Sequence, residues 1–530
     1  APPPPLLPPD NRAAERPRPS LLFASLPAAA AKERGKSAFP ASSANASLPR
    51  GELSRPCPRG GRFKVLRFLA RCGAALILLR AVLDDNPVSE ARTMEELAAI
   101  KVKGVPARAY RSGAGMTVVH IASKGPLVEG FLAIPTEARD NKGLPHTLEH
   151  LIFLGSKTFP FKGLLDMMAN RCFSDGTNAW TDVDHTCYTL TTAGQDGFLS
   201  LLPIYLDHIL NPTLTEHGFV TEVYHKTHEG RDGGVVYCEM EARNNDQDDL
   251  IDNALRQLLY PGKDCGYNKE TGGLCADIRT LTNEEVRNYH KLYYNPKNLL
   301  LIVSGTVDTE ALLSSVRSFE ERSGLLSGGK AHGGALKPWS SAVPCLQANK
   351  IRRVEFPSEE TEFGQFVLAW AGPPFEDFLT RTAIDVLLTY LTKSAISPLQ
   401  AALVESEDPV ASAVWYDTYS FKRTSMMLHF SGVSVAEHLS SMGEMVLKLL
   451  SKSLKDASSI DMNHMKRVLK NYRSTELLNR EMNPGGSVSK CMIDAFINSR
   501  HLFSSSEAAA SAAENLQHLE TLGGWKSEQW

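Results

Sequence analysis

The amino-acid sequence predicts an α+β fold made of two related αβ domains. The chain has 530 residues, which is more than one hydrophobic core usually accommodates. Strand and helix patterns follow one another in residues 95–322, and a similar order recurs in residues 345–505. A stretch rich in Gly and Ser lies between them. We therefore predict a first domain at 95–322, a linker at 323–344 and a second domain at 345–505.

The first domain contains strand and helix signals of ordinary length. Short apolar or alternating runs beside Gly-containing turns predict strands. Pro145 suits the first position of a helix, and Gly155 suits its left-handed C-terminal cap. The predicted elements are strands within Tyr110–Ser123 and at Val128–Ile134, a helix at Pro145–Leu154, a strand from Ala179 to Thr192, a helix at Phe198–Leu210, a helix at Asn283–Tyr294 and a strand at Leu299–Ser304.

The second domain shows the same kinds of signal. Residues 425–431 alternate between apolar and polar side chains, as a half-buried strand does, and two longer runs have helical periodicity. The predicted elements are strands at Arg352–Phe356 and Phe366–Ala371, a helix at Leu379–Lys393, a strand at Ser425–Ser431 and a helix at Ile460–Leu478. Residues 506–530, a helix-prone run followed by Gly-Gly, are predicted to begin an interdomain connection.

Residues 1–94 are predicted to form a disordered, basic leader. Residues 1–83 contain fourteen Lys and Arg against four Asp and Glu. Their richness in Pro, Ala, Ser and Arg is typical of an organelle transit peptide, and equally of a disordered extension. We expect the protein in a mitochondrion or another organelle if the leader is a transit peptide, and in the cytoplasm otherwise.

Composition argues against several classes of protein. The net charge of −3 does not favour nucleic-acid binding. The nine cysteines are scattered without a Cys-x-x-Cys pair, which argues against a cysteine zinc ribbon and a disulfide scaffold. The apolar run Gly73–Leu79 is far shorter than the ~20 residues of a membrane-spanning helix, so we expect no integral membrane span.

Three residues of the helix predicted at Pro145–Leu154 carry the chemistry. His146, Glu149 and His150 stand at i, i+3 and i+4 and share one helix face. Two neutral imidazoles one turn apart can bind one zinc ion, and the carboxylate between them can take a proton from the water that zinc activates. This is the H-x-x-E-H motif. We predict one Zn²⁺ per chain, with both histidines as ligands and Glu149 as the catalytic base.

The motif by itself leaves two questions open. One alternative is a helix face with two histidines and no metal, although the apolar residues on both sides favour a buried helix. A zinc peptidase site also needs a third protein ligand. The candidates downstream are His225, His228, Glu229, Glu239 and Glu241. Glu239 lies in an apolar stretch, and the alternative for its carboxylate is an ion pair with Arg243 one turn later.

Several segments resemble the pitrilysin/insulysin family of metallopeptidases. Residues 145–151, followed by Gly155-Ser156, look like its motif helix. Residues 234–240 resemble the G-V-V-x-N-E-M segment of its presequence-protease branch, with Cys238 in place of the Asn. The segment Tyr-Tyr-Asn-Pro-Lys-Asn at 293–298 is similar to a further marker of the family. In that branch the Glu of the second segment, here Glu239, is the third metal ligand.

A fourth segment resembles the N-A-x-T edge strand on which peptide substrates lie in the same branch. The resemblance implies that this strand binds substrate through the residues Asn178, Ala179, Trp180 and Thr181.

The resemblance also implies a fold and an activity. The two αβ domains would form half of a four-domain clamshell that closes around peptides or unfolded polypeptide segments. The implied function is that of a zinc-dependent metalloendopeptidase in which Glu149 activates the attacking water. We expect this chain alone to be an incomplete enzyme, because a C-terminal half or a partner subunit would be needed to close the chamber. The alternative is a catalytically inactive metal-binding partner or scaffold subunit of a processing-peptidase-like complex.

Overall fold

The computed structural model describes residues 94–326, 338–340, 342–344, 349–499 and 515–530. The predicted leader up to residue 93, most of the predicted linker and residues 506–514 lie outside the described residues.

The described residues form twelve strands and fifteen α-helices. The strands are β1 Glu95–Val102, β2 Val105–Arg111, β3 Thr117–Ile121, β4 Leu127–Pro135, β5 Asn178–Thr181, β6 His185–Ala193, β7 His225–Lys226, β8 Asp232–Gly233, β9 Leu300–Ser304, β10 Phe363–Pro374, β11 Ala413–Tyr419 and β12 Arg423–Ser434. The helices are α1 Leu144–Ile152, α2 Leu164–Arg171, α3 Gln195–Leu210, α4 Glu216–Glu222, α5 Val235–Arg243, α6 Gln247–Leu259, α7 Cys275–Ile278, α8 Asn283–Tyr293, α9 Thr309–Arg322, α10 Phe378–Thr392, α11 Pro398–Leu403, α12 Met442–Ser453, α13 Met462–Met482, α14 Pro484–Asn498 and α15 Asn515–Gly523. The predicted α+β class is confirmed.

The larger sheet has seven strands in the order β1-β2-β3-β9-β4-β6-β5. Neighbouring strands are antiparallel except β3 and β9, which pair in parallel. Strands β3 and β9 are buried at every position, as expected for central strands covered on both faces. The short strand β5 stands at the end of this order and pairs with β6 alone among the described strands.

Each face of the seven-stranded sheet has its own core. One face, with Leu132 and Tyr188, packs against helices of the first sheet region, residues 94–326, including α1 and α3. The opposite face packs against α14, whose Val488, Met492 and Ile493 are buried there. Burial of one such side chain stabilises the fold by about 1.5–3 kcal/mol. Helix α14 therefore joins the chain after residue 484 firmly to the first sheet.

The smaller sheet has three antiparallel strands in the order β10-β12-β11. One face packs against α10 to α13 and α15, with Leu428 and Phe430 in its core. The other face meets the end of α6, where the Tyr260 hydroxyl donates to the Arg423 carbonyl oxygen at 2.9 Å. Two shared apolar clusters thus connect the first sheet region with the second sheet region, residues 349–499.

Two predicted elements differ from the structure. Residues 352–356 form no strand and are mostly exposed, because they pair with none of the described strands. The single strand predicted from Ala179 to Thr192 is a hairpin of β5 and β6. The chain reverses between them, where the Asp182 amide donates to the His185 carbonyl oxygen at 2.8 Å and closes a tight turn.

The remaining predicted elements agree with the structure to within about four residues at each end, except in Tyr110–Ser123, where β3 lies inside the predicted range and most of β2 lies before it. One part of the predicted linker is anchored to the first sheet region. Trp339 is buried and stacks on Tyr267 at 4.0 Å, and its indole N–H donates to the Thr136 carbonyl oxygen at 3.0 Å. The predicted domain boundaries stay a prediction.

Candidate metal centre

The helix α1 is set in place by its ends and by its apolar face. Gly143 begins it with a φ of 76°, in the left-handed region that Gly adopts without strain, and Pro145 follows in the first turn. A Cβ at Gly143 would collide with the Gly272 carbonyl group. Leu148, Leu151 and Ile152 are buried in the core. This burial turns the other side of α1, with its two histidines, toward α5.

The start of α5 is positioned by a second glycine. Gly234 precedes α5 with a φ of 119°, and a Cβ there would collide with the Val223 carbonyl oxygen at the end of α4. Only Gly permits so close an approach of the two backbones. The start of α5 therefore lies against the end of α4, and Glu239 on α5 faces the histidines of α1.

Three side-chain atoms converge between α1 and α5. The Nε2 atoms of His146 and His150 are 3.2 Å apart. The Glu239 Oε2 atom lies 3.3 Å from Nε2 of His150 and 3.6 Å from Nε2 of His146. These three residues are the one group of at least three His, Cys, Asp and Glu with converging ligand atoms that the described part of the chain contains.

The spacing of these atoms fits a tetrahedral metal ion. Zinc bonds of about 2.0–2.2 Å to nitrogen and oxygen, arranged as a tetrahedron, place two ligand atoms roughly 3.3–3.6 Å apart. The three measured separations correspond to one triangular face of such a tetrahedron. Two imidazoles and one carboxylate are also a donor set that zinc prefers, with the fourth position left for water. The residues present therefore fit a zinc ion.

Glu149 lies next to this triangle but is held separately. Glu149 is 5% exposed, and burial raises the pKa of its carboxyl group. The Thr181 hydroxyl of β5 donates to its Oε2 atom at 2.5 Å, which acts on the pKa in the opposite direction. A carboxyl group whose pKa is raised beside three converging ligand atoms is a candidate for a general base.

The two histidines experience different surroundings. Burial, together with the neighbouring His150, lowers the pKa of His146 to about 3. Burial opposes the charging of His150, but hydrogen bonds to Glu222 and Glu239 outweigh it and raise the pKa of His150 to about 9. Both rings must offer an unprotonated nitrogen to bind a metal.

Comparison with protein families assigns the fold and this site region to known relatives. The family model described as "Insulinase (Peptidase family M16)" matches residues 135–253, which include α1 and α5. The model described as "Peptidase M16 inactive domain" matches residues 280–472. The chain belongs to peptidase family M16. The predicted pitrilysin/insulysin resemblance is thereby confirmed.

The chain matches part of the length of each of its curated relatives. An uncharacterized protein of Saccharomyces cerevisiae is 39% identical over 420 residues, which are 78% of this chain and 39% of the relative. One of Caenorhabditis elegans is 39% identical over 363 residues, which are 68% of this chain and 36% of the relative. The mitochondrial presequence protease of Danio rerio is 32% identical over 189 residues, 34% of this chain and 18% of that protein. This M16 chain thus spans well under half the length of these relatives.

Solved structures show the same fold. A protease from Helicobacter pylori has a TM-score of 0.57 at 19% identity, covering 82% of this chain and 98% of that one. A putative M16-like peptidase from Alicyclobacillus acidocaldarius has a TM-score of 0.56 at 15% identity, covering 82% and 94%. Within the described part of the M16 chain, every helix is too short or too polar to span a membrane.

Of the five candidates for a third ligand, Glu239 alone joins the two histidines. His228 and Glu229 are exposed near a turn, and Glu241 accepts a hydrogen bond from the Tyr237 hydroxyl at 3.4 Å instead. The alternative ion pair of Glu239 is also excluded, because Arg243 forms a double hydrogen bond with Asp249 at 2.6 and 2.7 Å.

Sequence reasoning missed Glu222, a carboxylate behind the triangle. Glu222 ends α4 and is buried, and its Oε1 atom lies 3.3 Å from Nδ1 of His150. Lys162 approaches its other oxygen at 3.4 Å. Despite burial, His150 and Lys162 hold the pKa of Glu222 below its ordinary value. Glu222 is 72 residues from His150, and no spacing rule connects two positions so far apart.

The four predicted substrate-binding residues make up all of β5. Ala179 and Thr181 face the core that contains α1, whereas Trp180 packs on the opposite face near Phe131. Asn178 is exposed. As the outermost of the described strands in its sheet, β5 offers backbone groups to an added strand. The role of these four residues in substrate binding stays a prediction.

Proposed function

We propose that this chain acts as a zinc-dependent metalloendopeptidase. The observation that carries the proposal is the triangle of His146, His150 and Glu239, with the Glu149 carboxylate beside it. The proposed ligands are these three residues, and the proposed cofactor is one zinc ion per chain. When bound, zinc supplies Lewis-acid activation of water and of a peptide carbonyl group.

Side chains of this chain would transfer the proton and orient the ligands. Glu149 would accept a proton from the attacking water and return it to the amine of the departing peptide. Burial of Glu149 favours the first step, because a raised pKa makes its carboxylate a better proton acceptor. Glu222 would orient the imidazole of His150 through Nδ1, as carboxylates do behind many metal-binding histidines.

The proposed substrates are peptides or unfolded polypeptide segments that bind beside β5 as an added strand. Backbone hydrogen bonds give such binding affinity with mild side-chain selectivity, and Asn178, Ala179, Trp180 and Thr181 would form this surface. The mitochondrial presequence proteases among the relatives agree with a peptide substrate. The requirement for an opposing half or a partner subunit to close the chamber stays a prediction.

A catalytically inactive, metal-binding scaffold is the alternative function. The description "inactive domain" applies to residues 280–472, and all four residues of the candidate site precede that range. The description therefore does not cover the motif residues. These residues are present and lie close together, which favours the peptidase.

The Glu149→Gln variant tests the proposal most directly. Zinc content should stay near one per chain, because Glu149 is not one of the three converging ligands. Cleavage of an unstructured fluorogenic peptide should fall by about 10²–10⁴. Elemental analysis after dialysis and initial-rate measurements give both quantities.

The matched control is Glu239→Gln, which should lose zinc. Cleavage at an unchanged rate by Glu149→Gln would refute the proposed mechanism. A wild-type chain that holds zinc, yet cleaves no peptide even together with an opposing half or partner subunit, would favour the scaffold.

A further inference from the structure

The candidate base is tied to the edge strand by one hydrogen bond. Thr181 of β5 donates to Oε2 of Glu149 at 2.5 Å. Within the described part of the chain, no other side chain donates a hydrogen bond to this carboxylate. Because Glu149 is 5% exposed, little water is available to replace a lost donor. The orientation of the carboxylate therefore depends on the Thr181 hydroxyl.

Thr181 itself is held rigidly. It ends β5 and pairs with Thr186 of β6, whose hydroxyl lies 3.3 Å from its own. A β-branched side chain has few rotamers, so its hydroxyl follows the strand backbone. A peptide that pairs with the free edge of β5 would fix the position of that backbone. Through its hydrogen bond, Thr181 would then fix the orientation of the Glu149 carboxylate. The strand proposed to hold substrate and the proposed base are thus mechanically connected.

We infer that Thr181 is a positioning residue that holds Glu149 in its catalytic orientation and connects that orientation to β5. This inference rests on the proposed peptidase function and gives Thr181 a role beyond backbone contact with a peptide. The hydroxyl carries this role. Two substitutions can isolate it, because Val has the shape of Thr without a hydrogen-bond donor and Ser has the donor without the methyl group.

The test compares Thr181→Val and Thr181→Ser in the full chain. Thr181→Val should lower kcat by ~10- to 100-fold, the usual effect of losing a hydrogen bond to a charged group. KM should change less than about threefold, and zinc content should not change, since Thr181 does not touch the three ligands. Thr181→Ser should recover kcat to within about threefold. Thr191→Val is the matched control, because Thr191 lies on β6 and its side chain makes no hydrogen bond in the described part of the chain.

Crystal structures of both variants give a second readout that does not depend on activity. The Glu149 carboxylate should stay in place in Thr181→Ser and turn away from β5 in Thr181→Val. A wild-type kcat or an unmoved carboxylate in Thr181→Val would overturn the inference, as would a Thr181→Ser chain as slow as Thr181→Val. Failure of the proposed function is recognised separately, by peptide cleavage that persists in Glu149→Gln.

Discussion

The two sheet regions of this chain each place a polar pair one turn apart on a helix. In the first sheet region the pair is His146 and His150 on α1, and in the second it is Arg381 and Asp385 on α10. The Arg381 guanidinium donates to the Phe375 carbonyl oxygen at 2.9 Å and lies 4.3 Å from the centre of the Phe375 ring. Arg381 also donates to the Ser420 hydroxyl at 3.1 Å, so it is held by uncharged groups, whereas the histidine pair meets the Glu239 carboxylate from another helix.

The difference shows what a metal centre requires beyond a repeated fold. Both regions combine a sheet with helices, and the spacing within each helical pair is the same. The first sheet region adds a glycine, Gly234, that lets α5 approach and deliver Glu239. The carboxylate that α5 delivers to the histidine pair is therefore what distinguishes the two regions chemically.

The largest expected effect is the loss of metal when both histidines of α1 are replaced. His146→Ala combined with His150→Ala should reduce bound zinc from one per chain to nearly zero and abolish turnover, because one ligand cannot hold the ion. Elemental analysis of dialysed protein measures the stoichiometry.

The matched control removes two histidines from the second sheet region, His429→Ala with His438→Ala. It should keep its zinc. Loss of zinc from this control, or retention by the α1 variant, would contradict the assignment of the centre to the first sheet region.

A smaller effect is expected when Glu222 loses its charge. Glu222→Gln should weaken zinc affinity by about 10–100-fold, the usual result of removing a carboxylate that orients a metal-binding histidine. Competition with a chelator of known affinity measures the change. Glu241→Gln, an equal change on the neighbouring helix α5, should leave the affinity within about threefold. Equal affinities of wild type and Glu222→Gln would show that His150 needs no such support.

The smallest expected effect concerns the polar pair of α10. Burial raises the pKa of Asp385 to about 7, above its ordinary value of 3.8. Well below its ordinary pKa of 3.8 the group is protonated in both the folded and the unfolded chain and costs nothing. As pH rises toward 7 the unfolded chain is ionised while the folded one resists ionisation, so folding loses free energy.

Asp385→Asn should therefore stabilise the protein by about 1–3 kcal/mol above pH 7. The gain should fade as pH falls to 4. Denaturant unfolding at several pH values measures it. A gain that is independent of pH would mean that Asp385 is ionised in the folded protein without cost.

The candidate site shows which inferences a sequence supports well. His146, Glu149 and His150 are three or four residues apart, and helix geometry alone brings such neighbours to one face. Pro145 in the first turn was equally predictable, because proline has a fixed backbone preference. The left-handed cap predicted at Gly155 was wrong, since Phe153 caps the helix in the right-handed conformation. Glu239 was chosen by family resemblance, since the residues themselves left His225, His228, Glu229 and Glu241 open as alternatives.

Other features could not be predicted because they depend on distant parts of the chain. The hairpin of β5 and β6 was taken for one strand, because a two-residue periodicity does not reveal a tight turn inside it. The strand predicted at 352–356 has a suitable pattern but no neighbour to pair with. Helix α14 was assigned to the second domain by its position, yet its apolar face packs on the seven-stranded sheet.

The sequence by itself therefore determined the α+β class, the helix that carries the motif, and the helix face that His146, Glu149 and His150 share. These properties arise from contacts within about one helical turn. Only the tertiary structure decided that Glu239 completes the triangle, that Glu222 lies behind His150 and that Thr181 holds Glu149. Each of these contacts joins residues between 32 and 93 positions apart, and at such separations the packing of helices and strands, not local preference, sets which side chains meet.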